Sequence, residues 1–425
     1  LPDTGVTANV AVDRLVVDEW LALLPAPPPK PAAGKAPQPP AWQDYLPSRM
    51  GLKANSLMAN GRHLHQVQAG GTYEAGRWRV NINAAELSGH VAFEPARPGQ
   101  TDQAGQLFAR LSHLNLPPSS AREVESLLEA PPVSLPALDI VVDALELRGK
   151  KLGRVEIEAV NTDKARAQTP AAREWQLKKL NIDLPEGTLR STGRWLAARE
   201  GSPLRKSEMN FVLDVRDAGA LLTRLGTPEA LRGGTGQLEG MVSWQGSPLS
   251  LHYPSLNGHL DVRMGQGQFL KADPGIAKLL GVLSLQALPR RLLLDFRDVF
   301  AQGFAFDSVQ GDVTIVHGMA NTRNLQIKGV NALVQLDGSV DIARETQNLH
   351  VQILPNLDAG TASLVAGLAV NPAVGLTAFI AQWLLQNPLS RASAQEFLVD
   401  GSWAEPRVTR VEKRPAPPPA QTTLP

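Results

Sequence analysis

Asn60-Gly61-Arg62-His63-Leu64-His65-Gln66-Val67 returns further along the chain as Arg148-Gly149-Lys150-Lys151-Leu152-Gly153-Arg154-Val155. Both copies read as a turn glycine, two basic residues, then a leucine and a valine three apart. Each leads to a tryptophan (Trp78, Trp175) that opens an alternating stretch, closed by Ser88-Gly89 in one copy and Thr192-Gly193 in the other. A repeated unit of strand, glycine turn and strand marks a β array that grows by adding hairpins. Such an array has no single catalytic pocket by construction. Its function lies in the long surface that the repeats build.

Outward from the cassettes the same period continues. Val155, Ile157 and Ala159 share one face and Glu156 and Glu158 the other, a spacing of two that predicts a strand. Between Leu177 and Leu180 the alternation slips by one residue, which a β-bulge explains. From Phe304 onward the pattern is cleanest: Val313, Ile315, Leu325, Ile327, Val334, Leu336, Leu349, Val351 and Ile353 alternate with polar residues, and glycines punctuate them. This reads as an antiparallel meander with one apolar face. Asp217 to Leu225 is a predicted helix with Asp217 as its N-cap and Gly226 as its stop. A second helix is expected over 273–288, with Asp273 as N-cap and Pro274 at its first position.

Composition narrows the function classes. Lys+Arg 42 against Asp+Glu 41 leaves a net charge of +1, so the chain lacks the basic field that nucleic-acid binding requires. With 0 Cys, thiol catalysis, disulfides and thiolate metal sites are excluded. His63 and His65 form an i, i+2 pair with no third ligand suggested nearby, and the second cassette has Lys151 and Gly153 in their places. Asp139, Asp143 and Glu146 fall on opposite strand faces or in turns, so no carboxylate pair for acid–base work emerges. Gly233-Gly234-Thr235-Gly236 and Gly265-Gln266-Gly267 lack phosphate-loop spacing and read as turns. The expectation is a non-enzyme without metal or cofactor. The apolar strand faces admit an ordinary sandwich core as well as an open groove, although two or three short helices are too few to cover so long a sheet.

Residues 25–40 carry eight prolines and two lysines, a stiff insert. Residues 359–390 contain no charge and break at Asn371-Pro372. Leu364, Val365 and Leu368 mark one short helix there, and Leu376, Phe379, Ile380, Trp383 and Leu384 form a full helical stripe on a second. At about 1.5 Å per residue neither arm spans a roughly 30 Å hydrocarbon core. The pair is expected either to cap the sheet or to contact a membrane with those residues.

The stretch Asp273-Pro274-Gly275, then Leu279-Leu280-Gly281-Val282-Leu283-Ser284-Leu285-Gln286-Ala287-Leu288-Pro289-Arg290-Arg291-Leu292, resembles the C-terminal region of the YhdP-like branch of the AsmA family. Asp295-Phe296-Arg297-Asp298-Val299-Phe300, Gly303-Phe304-Ala305-Phe306-Asp307 and the closing Gly401-Ser402-Trp403-Ala404-Glu405-Pro406-Arg407-Val408 continue the likeness. Leu225-Gly226-Thr227-Pro228 and Gly240-Met241-Val242-Ser243-Trp244 are similar to the family's recurring turn-and-strand unit. The resemblance is strong over about 210–410 and looser before. It implies a periplasmic, groove-shaped body of a diderm bacterium, anchored in the inner membrane through an upstream helix and tied to phospholipid movement toward the outer membrane.

The expected fold is therefore mostly β: a long antiparallel, strongly twisted and curled meander forming an apolar groove, with a few short helices. Its parts are strands over 1–24, the proline-rich insert 25–41, a repeated hairpin groove 42–268, a meander 269–358, the uncharged helical hairpin 359–390, closing strands 391–411 and a disordered tail 412–425. The expected function is a passive phospholipid conduit between the two membranes. Acyl chains would lie against Val155, Ile157, Val313, Ile315, Leu325, Ile327, Val334, Leu336, Leu349, Val351 and Ile353. The alternative is an envelope scaffold or outer-membrane assembly factor that binds partner proteins at its sheet edges.

Overall fold

The computed structural model describes residues 6–22, 47–59, 62–74, 76–95, 105–117, 136–162, 174–197, 205–228, 230–248, 251–270, 304–330, 332–355, 395–403 and 405–411. The expected helix 273–288, the uncharged hairpin with its membrane-contact residues, the proline-rich insert and the tail lie outside these residues. Among the described residues hydrogen bonding joins 21 strands in a single sheet. The chain divides into two compact units, residues 1–213 with 241–252, and residues 214–240 with 253–425.

In the first unit the strands follow chain order. They are β1 (Thr7–Val16), β2 (Arg49–Ala59), β3 (Arg62–Glu74), β4 (Arg77–Asn83), β5 (Leu87–Glu94), β6 (Gln106–Leu116), β7 (Ala137–Leu147), β8 (Lys150–Thr162), β9 (Glu174–Leu184), β10 (Gly187–Ala197) and β11 (Arg205–Val215), whose last residues belong to the second unit. A short helix α1 (Val17–Ala22) follows β1, where alternation alone suggests more strand. Asp18 and Glu19 in its first turn complement the positive end of the helix dipole.

The expected meander holds at most junctions, but two are parallel: β1 with β2 and β6 with β7. A parallel pair needs a crossover of about a dozen residues or more. Residues 17–48, which include the proline-rich insert, and residues 117–136 supply that length. The bulge expected between Leu177 and Leu180 is present. Glu158 pairs with Lys179 while Ala159 pairs with Leu177, which keeps both leucines on one face.

The cassettes fold alike. Their shared valines are buried alike, Val67 at 0% and Val155 at 2% exposure. The closing glycines do the same job in both. A Cβ on Gly89 would lie 2.2 Å from the Arg110 carbonyl oxygen, and one on Gly193 would lie 2.5 Å from that of Glu208. Register shifts coincide with both glycines. Such bulges sharpen local twist and bend the strand.

The second unit begins with helix α2 (Ala218–Leu225). As predicted, the Asp217 side chain accepts from the Ala220 N–H, and Gly226 ends the helix in the left-handed region at φ 99°. Then come β12 (Leu231–Gly233), β13 (Gly236–Gln245, shared between the units), β14 (Asn257–Met264), β15 (Gly267–Phe269), β16 (Phe304–Val316), β17 (Met319–Gly329), β18 (Ala332–Asp341), β19 (Thr346–Pro355), β20 (Gln395–Ser402) and β21 (Pro406–Arg410). The pairings from β14 to β21 are antiparallel.

Candidate functional site: an apolar face of the first unit

Residues in register on neighbouring strands share a face. Following register from strand to strand therefore shows what each face carries. In the first unit one row runs Val10–Leu52–Ala69–Ile82–Gly89–Leu111–Val142–Val155–Ile182–Leu189 and crosses β1 to β10 without a polar side chain. A second row alongside it, Ala8–Met50–Gly71–Val80–Val91–Ala109–Ile140–Ile157–Leu180, crosses β1 to β9 and ends at Ser191 on β10. The third, Tyr73–Trp78–Phe93–Leu107–Leu138–Ala159–Leu177–Gly193, starts at β3. At about 4.8 Å per strand the ten-strand row is roughly 43 Å long.

The opposite face is charged, and its charges pair across strands. Lys179 lies 2.5 Å and Arg154 3.0 Å from the Glu156 carboxylate, and Arg154 also pairs with Asp143. Hydrogen bonds from Lys179 first and Arg154 second hold Glu156 below the usual carboxylate range. Arg110 pairs with Asp139 at 2.8 Å, and Glu208 lies 2.6 Å from Arg194 and 2.9 Å from Lys206. Burial pushes the Glu208 pKa up, but the Lys206 and Arg194 hydrogen bonds outweigh it and the net direction is down. The three carboxylates weighed as acid–base candidates are thus in cation-bearing rows: Asp139 against Arg110, Asp143 against Arg154, and Glu146 opposite Lys151. His65 is bound to Glu86 at 2.6 Å and exposed. Among the described residues no group of three or more His, Asp or Glu is placed to hold a metal.

The apolar face closes into a hollow of about 450 Å³ between β6 and β13, lined mainly by apolar residues such as Leu114, Ile140, Ile157, Leu180, Met209 and Trp244, with Arg148, Arg194, Ser207 and Glu208 also in its lining. A flat sheet with strands about 4.8 Å apart could not bring so many strands to one small space, so the sheet curls here. The indole N–H of Trp244 donates to Ser247 O at 2.9 Å and that of Trp175 to Pro136 O at 3.4 Å. With those donors engaged by backbone, the two rings add hydrocarbon to the wall. The strands of this unit belong to one sheet, and no second sheet covers the face among the described residues.

Of the residues singled out by alternation, Val155 and Ile157 line this hollow. The other nine lie in the second unit. Val334, Val351 and Ile353 are buried there, in a cluster with Phe304, Phe306, Phe397, Val399 and Ala218 of α2. Leu325, Ile327, Leu336 and Leu349 pack against that cluster. Register puts Ile315 and Val313 opposite Gly258 and Leu260, and Ile315 is 5% exposed. Seven of the nine thus meet in one filled cluster around Ala218 of α2 and the phenylalanines. Alternation overlooked most of the first unit's wall, including Leu138, Ile140, Leu180 and Trp244. The signal for them lay in register, which the glycine and bulge positions set.

The family described as YhdP protein matches residues 1–408. This chain belongs to the YhdP protein family. A curated relative, the intermembrane phospholipid transporter YhdP of Escherichia coli (strain K12), is 32% identical over 175 residues, 41% of this chain and 14% of the relative. The matched part thus spans about a seventh of that longer family member. No solved structure matches the chain. No helix among the described residues is long and apolar enough to cross a membrane.

Proposed function

We propose that the chain is a section of a passive phospholipid conduit between the inner and outer membranes, standing in the periplasm and held to the inner membrane by an upstream helix of a longer protein. One observation carries the reading: the unbroken apolar rows of the first unit, which cross up to ten strands and pass through the hollow. The relative's name, an intermembrane phospholipid transporter, supports the cargo. Acyl chains rest on the rows, and the paired charges of Glu156, Arg154 and Lys179 on the opposite face stay in water. A methylene leaving water for such a face gains about 0.8 kcal/mol, the same gain a bilayer offers, so exchange between the two is close to neutral. That balance suits passage rather than storage.

Adjacent residues test it. Ile140 belongs to an apolar row, while Val141 pairs with Arg110 and Glu156 in a row of the opposite face. A photo-reactive amino acid at Ile140, but not at Val141, should crosslink phospholipid when the protein is incubated with vesicles. Crosslinks only to protein from Ile140, or equal lipid yield from both positions, would reject the conduit.

A further inference from the structure

The two long rims of the first unit's apolar face differ in chemistry. One is aromatic: Tyr73, Trp78 and Phe93 are in register, and the Tyr73 and Trp78 rings stand 4.8 Å apart. Further along the same rim Trp175 pairs with Trp195. The other rim carries the starts of β3 and β8. There the first basic residue of each copy lies at the end of the apolar face. Leu147 lines the hollow, and its register partner is Lys150. In the first copy Leu57 and Leu64 pack in the core cluster around Val67, and two residues further out Ala59 pairs with Arg62. Arg148, at the tip of the second hairpin, also lines the hollow.

Both strand starts fall on the same rim because of strand direction. Of the five junctions from β3 to β8, four are antiparallel and β6–β7 is parallel. An even number of reversals leaves β3 and β8 running the same way. With five reversals, the second cassette would point to the aromatic rim.

We infer that Arg62 and Lys150 hold the phosphodiester of a phospholipid whose acyl chains run down the strands toward the aromatic rim; this rests on the conduit reading above. The dimensions agree. Lys150 to Ala159 along β8 covers roughly 30 Å at about 3.3 Å per residue, and one leaflet's acyl layer is about 15 Å, half of a hydrocarbon core. Cations beside an apolar face also match the cargo's own layout of anion and hydrocarbon, and Arg and Lys are the usual phosphate partners. On the opposite face the cation of the same hairpin, Lys151, stands across from Glu146. The repeated basic residue therefore selects how lipid lies on the face, and its recurrence provides a second station along the same path.

The test uses the whole chain and its Arg62→Gln, Lys150→Gln double variant, with Lys151→Gln as control. Each is incubated with vesicles containing phosphatidylglycerol and diacylglycerol of the same chains, then examined by native mass spectrometry. The double variant should retain severalfold less phosphatidylglycerol and an unchanged amount of diacylglycerol, while Lys151→Gln behaves as wild type. An unchanged ratio of the two lipids in a folded double variant overturns the headgroup site and leaves the conduit standing. Wild type that retains neither lipid overturns the conduit itself. Wild type that binds inorganic phosphate through Arg62 and Lys150 while retaining no more phosphatidylglycerol than the double variant identifies a plain anion site and also overturns the proposal.

Discussion

Replacing Gly89 by alanine should damage the first unit far more than replacing Gly70, although both glycines sit in strands of the same sheet. Gly89 has φ 144°, and a Cβ there would approach the Arg110 carbonyl oxygen to 2.2 Å and the Leu111 Cα to 2.7 Å. Both contacts are backbone, so no flexible side chain can give way. Backbone strain of this kind costs about 1–3 kcal/mol, and parting β5 from β6 forfeits a ladder hydrogen bond of about 1 kcal/mol. The sum is about 3 kcal/mol. At Gly70 a Cβ would meet nothing within 4 Å. Alanine there is near neutral or stabilising by about 0.4–1 kcal/mol, because it restricts the unfolded chain. The two variants should thus differ by some 3–4 kcal/mol. Urea unfolding followed by tryptophan fluorescence reads this as separate midpoints with a common slope. If the Gly89 variant loses under about 1 kcal/mol, or unfolds with the Gly70 variant, then close strand approach at the bulge does not shape this sheet.

Val155→Ala and Val399→Ala remove the same two methyl groups from residues 2% and 0% exposed, but Val155 borders the hollow while Val399 sits in the filled core of the second unit. The transfer loss is about 1.6 kcal/mol for each, and the cavity penalty should add about another 1 kcal/mol for Val399 alone, measurable by denaturant titration. Asp217→Ala should cost about 1 kcal/mol through loss of the cap on the Ala220 N–H, and Asp217→Asn should restore most of it. Glu156 has a lowered folded pKa, so its contribution is complete above the unfolded value near 4.3 and is lost as pH falls through the folded value beneath it. Thermal melts of Glu156→Gln should therefore be less stable than wild type near neutrality and converge with it in acid, more weakly so at high salt.

Elements with a strong local signal were legible from sequence. The α2 cap and stop, the bulge at 177–180 and the meander after Phe304 each rest on residues within a few positions of one another. The parallel junctions were not legible, because strand direction after a long connection depends on where the chain returns, and residues 17–48 and 117–136 carry no period that says so. The wall of the hollow was legible only in part for a related reason. Alternation tells which residues of one strand share a face, as with Val155 and Ile157. It does not tell that Ile140, Ile157 and Leu180 stand in line, since that depends on a two-residue turn at Arg148-Gly149, where φ is 52° and 74°, and on the extra residue at Lys178. In the second unit α2 packs on the shared face, a tertiary contact that strand periodicity cannot announce.

The uniformity of the rows bears on mechanism. A lipid moves along a passive path only if no point on it binds much more tightly than its neighbours. Each 1.4 kcal/mol of unevenness slows escape about tenfold. Valine, leucine, isoleucine, methionine, alanine and glycine follow one another along the two rows that start at β1, so these offer hydrocarbon at every strand and no hydrogen-bonding side chain until Ser191. A pocket evolved for capture would instead pair its hydrocarbon with inward donors and acceptors at one place. Arg62 and Lys150 stand at the rim, five strand steps or roughly 24 Å apart. Rim cations spaced in this way can orient a lipid without deepening any one well in the apolar path, which is what a conduit needs and a carrier does not.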